Sequence, residues 1–132
     1  MMNLIDTPTE NELEEALVEG RDSKNTIDQM IHLLMINKLY FPSIKKCNKN
    51  GLDLIPLIFE RNGVPMASVF TSESRMNYYS NYIKGYFLIP FKEIITKGSD
   101  EYGLVINPGY TIGLEIPAYG LKNIKEKFLN LT

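Results

Sequence analysis

Hydrophobic positions follow a helical spacing at the start of the chain, break into short runs of strand-forming residues, and return to helical spacing at the end. Leu13, Ala16 and Leu17 share one stripe and predict a first helix ending near Gly20. Thr9-Glu10-Asn11-Glu12 reads as its capping box, with Thr9 as N-cap and Glu12 reaching back to it. Ile27, Met30, Ile31, Leu34 and Met35 fall at i, i+3, i+4, i+7 and i+8, the strongest period in the chain. They predict a core helix starting near Ser23 to Asn25.

From Lys38 the texture changes to strand. Leu39-Tyr40-Phe41 reads as a short strand closed by Pro42, Leu52 to Glu60 as a second and Val64 to Phe70 as a third. Asn62-Gly63 between the last two is a hairpin signal, and Pro56 and Pro65, lacking an N–H, favour edges or bulges. Ser72 to Tyr82 reads as a helix with Met76, Tyr79 and Ile83 inward. A strand from Gly85 to Phe91 leads into a short helix, Pro90 to Thr96, with Phe91, Ile94 and Ile95 inward and Gly98 closing it. Tyr102 to Ile106 and Thr111 to Ile116 are further strands, separated by an Asn107-Pro108-Gly109 turn. The last helix carries Leu121, Ile124, Phe128 and Leu131 on one stripe, with Lys122, Lys125 and Lys127 outside. The expected fold is α/β (α+β): a single domain over residues 1–132, its core 9–128, with one mixed β-sheet of five or six strands and helices packed on it.

Composition narrows the function classes. A chain of 132 residues with 44% hydrophobic and 23% charged residues reads as soluble and globular. A net charge of −2 lacks the clustered basic footprint that nucleic acid requires. A single cysteine makes no internal disulfide. The start of the chain, with no basic residue and no long apolar run, does not read as a secretory signal, and no apolar stretch is long enough for a bilayer. The expectation is a cytoplasmic protein with no membrane association.

Glu10, Glu12, Glu14, Glu15 and Glu19 give the first helix an acidic face. It reads first as a solvated face whose early carboxylates suit the helix dipole, and otherwise as an attraction for a basic partner. Cys47 sits among Lys45, Lys46 and Lys49, cations that favour thiolate, but no resolving cysteine or histidine lies nearby in sequence. Whether it is reactive stays open, and a solvated turn explains the same composition. His32 lies beside the core stripe of its helix without a second ligand at metal spacing.

The candidate chemistry lies at two strand ends. Thr71, Ser72 and Ser74 open a helix, with Arg75 one turn later, so a carboxylate or phosphate has amides, hydroxyls and a guanidinium within reach. The same residues read first as an N-cap, Thr71 or Ser72, followed by a favourable first-turn acid, Glu73, whose charge competes with any anion. Asn107 offers an amide for ligand orientation, although Asn107-Pro108-Gly109 is explained by turn formation alone. No catalytic constellation, metal-ligand spacing, glycine-rich phosphate loop or cofactor motif is present in the sequence. The candidate binding residues are Thr71, Ser72, Arg75 and Asn107.

The order of these features resembles the SseB N-terminal domain family, named for a bacterial protein associated with enhanced serine sensitivity. The resemblance rests on Asn11 to Leu17, on Leu33-Leu34 leading to Leu39-Tyr40-Phe41-Pro42, on Val69 to Arg75, and on Gly103 to Gly109. It covers roughly Asn11 to Lys127 and implies a compact α/β domain, often the first of two in longer members. It brings no catalytic residue set. The function expected is a non-enzymatic interaction or regulatory module whose partner is another protein, with no cofactor. The alternative is a sensor of an amino acid or other small anion at Thr71–Arg75 beside Asn107. Nothing in the sequence decides the oligomeric state.

Overall fold

Asn62 and Gly63 turn the chain as their residue types dictate. Both hold left-handed backbone, φ +53° and +81°, the geometry that closes a two-residue hairpin. In a computed structural model that describes residues 4–20, 24–47, 54–98 and 101–129, this turn joins β2 (Ile58–Arg61) to β3 (Val64–Val69). Before it come α1 (Glu12–Gly20), α2 (Lys24–Met35) and β1 (Lys38–Ser43). After it come α3 (Glu73–Asn77), β4 (Gly85–Pro90), α4 (Phe91–Lys97), β5 (Gly103–Ile106), β6 (Leu114–Ile116) and α5 (Ala118–Leu129). Parts of three sequence readings lie outside the described residues: Ser23, the segment 48–53 and Leu131.

The mixed α/β architecture is as expected, but the strands divide into two sheets. One has the order β2-β3-β5-β6, in which β3 and β5 run parallel and the outer pairs antiparallel. The other is the antiparallel pair β1-β4. A single bridge joins them: Tyr40 and Phe70 exchange both main-chain bonds at 2.9 Å.

That bridge also explains why Pro42 does not end β1. Tyr40 points its N–H and C=O at Phe70, away from β4, so Pro42, two residues on, would aim its missing N–H the same way. The ladder to β4 therefore loses nothing. Pro65 sits inside an interior strand for a similar reason, one residue ahead of the first β3–β5 pair, Met66–Gly103.

Side-chain alternation assigns the two faces of the larger sheet. Val69, Leu104, Ile106 and Ile116 join Leu13, Leu17, Met30, Ile31, Leu34, Phe91 and Ile95 in one core, so α1, α2, α4 and α5 supply its cover. Ile27 departs from the expected stripe and is exposed. The opposite face carries Met66, Phe70 and Val105, and the turn after α3 sets Tyr79 against Phe70 there. α3 is shorter than Ser72 to Tyr82. Beyond Asn77 the bonds tighten to i→i+3, as in Tyr79 N–H to Met76 O at 2.9 Å, through a Tyr, Ser and Asn run of weak helix formers. β6 likewise starts at Leu114, because Thr111 N–H is drawn to Ile5 O at 2.9 Å. No helix among the described residues is long and apolar enough to cross a membrane.

Two glycines separate backbone strain from crowding. A Cβ at Gly63 meets open space, so Gly63→Ala is expected to cost only the left-handed penalty, about 1–2 kcal/mol. Gly109, φ +84°, would also press its Cβ to 2.5 Å from Tyr79 Oη. Gly109→Ala is therefore expected to lower the urea-unfolding free energy by more than Gly63→Ala does.

Candidate functional site

Parallel pairing brings the two strand ends together. Val69 lies opposite Ile106, so the residues just past each strand, Thr71 and Asn107, become neighbours. Thr71 N–H donates to Asn107 Oδ1 at 3.0 Å, while Asn107 Nδ2 donates to Thr71 Oγ1 and to Ile112 O, both at 2.8 Å. Asn107 holds φ +56°, a conformation asparagine tolerates well, and its own N–H is held by Val69 O at 2.9 Å. The amide thus does more than form a turn: it ties β3, β5 and the segment before β6 together.

The same threonine reaches a carboxylate. Thr71 Oγ1 donates to Glu14 Oε2 at 2.5 Å, and Thr71 O accepts from Asn11 Nδ2 at 3.1 Å. This corrects the cap of α1. Asn11, not Thr9, is the N-cap, with Oδ1 accepting Glu14 N–H at 2.8 Å, and Glu14 rather than Glu12 reaches back, accepting Glu10 N–H at 3.0 Å. Glu14 also leaves the solvated face: its side chain is 0% exposed. On the wheel of α1, at about 100° per residue, it falls between Leu17 and Val18, inside the apolar arc. That position was the available signal.

Its counter-charge is Arg75, 3% exposed. Nε donates to Glu14 Oε2 at 3.1 Å and Nη2 to Oε1 at 2.7 Å, a bidentate pair. Nη2 also donates to Pro8 O at 2.9 Å, Nη1 donates to Thr7 Oγ1, and the guanidinium carbon lies 4.9 Å from the Tyr110 ring centroid. Glu14 accepts four hydrogen bonds in all, as many as a carboxylate has lone-pair sites. Burial alone would push its pKa up. The hydrogen bonds from Arg75, Thr71 and Glu10 N–H, together with the Arg75 charge, outweigh that and hold it below the ordinary 4.5. Hydrogen bonding to Glu14 in turn outweighs burial at Arg75 and raises its pKa.

Three of the four candidate residues, Thr71, Arg75 and Asn107, therefore share one buried network. Ser72, the fourth, caps α3 by accepting Arg75 N–H at 3.4 Å, and lies half-buried at its edge. Ser74 donates to Glu10 at 2.6 Å. An anion approaching this short helix would meet Glu10 and Glu73 outside and compete inside with a carboxylate already in place. His32 and Cys47 sit elsewhere. His32 packs edge-on against Phe128 with ring centroids 4.9 Å apart, and Cys47 lies half-buried against Gly85. Among the described residues no group of three or more His, Cys, Asp or Glu side chains forms a metal site.

Beside the network, on the sheet face that the four large helices leave open, is a cleft of about 470 Å³. Met66 and Val105 lie along its floor, and Phe59, Tyr78, Tyr79 and Tyr110 form its walls. Tyr79 packs between Phe59, edge to face, and Phe70, tilted, with centroids at 5.7 and 5.6 Å, and donates from its hydroxyl to Pro108 O at 2.6 Å. Burial raises the pKa of both Tyr79 and Tyr110, so their hydroxyls stay protonated donors. An ion pair between Arg61 and Glu115 at 3.6 Å marks the rim. Sequence reading gave no hint of this cleft, because its walls come from separate elements that only the fold assembles.

A family model described as the SseB protein N-terminal domain matches residues 13–123, most of the chain. No curated protein and no solved structure gives a match.

The network has a clear mutational signature. Arg75→Ala strands a buried carboxylate and is expected to cost about 3–5 kcal/mol in urea unfolding. Glu14→Leu combined with Arg75→Met, which removes both charges, is expected to be more stable than Arg75→Ala alone. Thr71→Val, which takes one hydrogen bond from Glu14 Oε2 and one from Asn107 Nδ2 and leaves each a single partner, is expected to cost about 1–3 kcal/mol.

Proposed function

This chain belongs to the SseB N-terminal domain family, and we propose that it acts as a non-enzymatic module that binds another protein through the aromatic cleft. The partner is an extended segment that places aliphatic or aromatic side chains between Tyr78, Tyr110 and Phe59. The observation carrying this reading is a contrast between neighbours. The polar groups at the strand ends are hydrogen-bonded to one another, whereas the adjoining cleft presents the rings of Tyr78 and Phe59 to solvent. Tyr78 is 63% exposed and Phe59 37%, a large rigid contact area at small entropic cost. Tyrosine is enriched at such surfaces because a wet hydroxyl and an apolar ring serve both states, and phenylalanine for its large apolar ring.

A small-anion sensor is the weaker reading. Recognition of a carboxylate would draw on Arg75, whose Nε and Nη2 already hold Glu14. A ligand would have to displace that buried partner.

Selection from a random-peptide library on the immobilised chain tests the proposal. Enriched peptides are expected to carry apolar side chains in an extended spacing. Tyr78→Ala and Phe59→Ala are each expected to weaken them about tenfold or more while leaving the melting temperature within a few degrees. No enrichment, or peptides indifferent to both substitutions, contradicts the reading. Competition by free amino acids or phosphate would favour the sensor instead.

A further inference from the structure

An unpaired sheet edge normally carries a charge, a proline or a bulge that stops another chain from pairing there. β2 has Glu60 and Arg61, and the three-residue β6 has Glu115 at its centre. β4, Gly85-Tyr86-Phe87-Leu88-Ile89-Pro90, has six residues, no charge, and a proline only at its end. It is the outer strand of the two-stranded sheet. We propose that β4 pairs antiparallel with β4 of a second copy of this chain about a two-fold axis.

The main-chain directions fit a copy of the same strand. Tyr40 turns its N–H and C=O away from β4, so its neighbours Leu39 and Phe41 face Ile89 and Phe87. Phe91 N–H donates to Asn37 O at 3.1 Å in the same phase. Residues 85, 87 and 89 therefore spend their main-chain groups on β1. Tyr86 and Leu88 aim theirs outward, where no main-chain partner among the described residues meets them.

Placing Phe87 opposite Phe87 of the second copy sets Tyr86 opposite Leu88 and Leu88 opposite Tyr86. Each of these pairs exchanges an N–H and a C=O in both directions. The partial charges along the edge are thus complementary to themselves under a two-fold operation, the condition for an isologous contact. Side chains agree with this register. Tyr86 is 43% and Leu88 49% exposed on one face, and each would flank the other across the axis. The Tyr40 ring, 5.8 Å from that of Tyr86, extends the same apolar face.

Pairing would turn two two-stranded sheets, a marginal arrangement alone, into one four-stranded sheet. A contact built on one short strand falls below the roughly 1,200 Å² of stable complexes, so the association is expected in the micromolar range. It uses neither the cleft nor the buried network and stands apart from the proposed function.

Sedimentation of the intact chain between about 1 μM and 1 mM is expected to show a monomer–dimer equilibrium. Leu88→Pro removes an N–H that has no partner among the described residues, and Leu88→Lys adds an edge charge. Each is expected to weaken the dimer at least about tenfold with the fold retained by circular dichroism. Hydrogen exchange on the unmodified chain reads the register without relying on either variant. The Tyr86 and Leu88 amides should gain protection with concentration, while Phe87 and Ile89, already bonded to β1, stay unchanged. A monomer at every concentration overturns the proposal, as does a dimer insensitive to both variants or one that leaves the Tyr86 and Leu88 amides unprotected.

Discussion

A carboxylate with no solvent exposure is tolerated only when every lone pair and the full charge are answered, and Glu14 meets both conditions through Arg75, Thr71 and the Glu10 amide. The partners come from points far apart in sequence. Thr71 ends the run after β3, Arg75 lies in α3, Glu10 precedes α1, and Asn107, past β5, holds Thr71 in place. Docking of α1 is thus coupled to the parallel pairing of β3 with β5. Placing either element wrongly would leave a buried charge unpaired, a penalty comparable with the whole stability of a small domain. The pair specifies the arrangement more than it adds stability.

The C-terminal ends of adjacent parallel strands are where open α/β sheets commonly receive ligands. Here the chain's own Glu14 sits against the cation at that position. Tyr110 connects this interior to the surface. Its ring lies under the Arg75 guanidinium, 4.9 Å from centroid to carbon, and 6.1 Å from that of Tyr78 in the cleft wall. Tyr110 thereby braces one wall of the cleft against the buried network.

Much of the fold was legible in local pattern. The apolar period of α2, the Asn62-Gly63 hairpin and the turn at Asn107 all follow from residue types within a few positions of one another. What failed depended on distant partners. Pro42 looked like a strand end because its missing N–H matters only if it faces a neighbouring strand, and the Tyr40–Phe70 bridge decides that. Glu14 looked solvated because acids on a first helical turn usually are, and its buried partner lies 61 residues away. Thr71, Arg75 and Asn107 stood out as candidate binding residues, and the fold joins them in one network whose carboxylate, Glu14, comes from the chain itself and was missed. The cleft, assembled from β2, β3, β5 and the turns after α3, had no local signature at all.

The central claim is that Glu14 and Arg75 form a closed, buried pair in the folded chain. Because the folded state holds the Glu14 pKa below 4.5, the stabilisation is complete above the unfolded value and is lost as pH falls through the lower folded one. Carbon-13 NMR of the Glu14 carboxyl, followed from neutral pH downward while the chain remains folded, tests this directly. The account predicts a midpoint below 4.5, or no titration before acid unfolding, with the Arg75 Nε resonance moving only in step with it. A midpoint at or above 4.5, or an Arg75 resonance indifferent to Glu14 protonation, would contradict it.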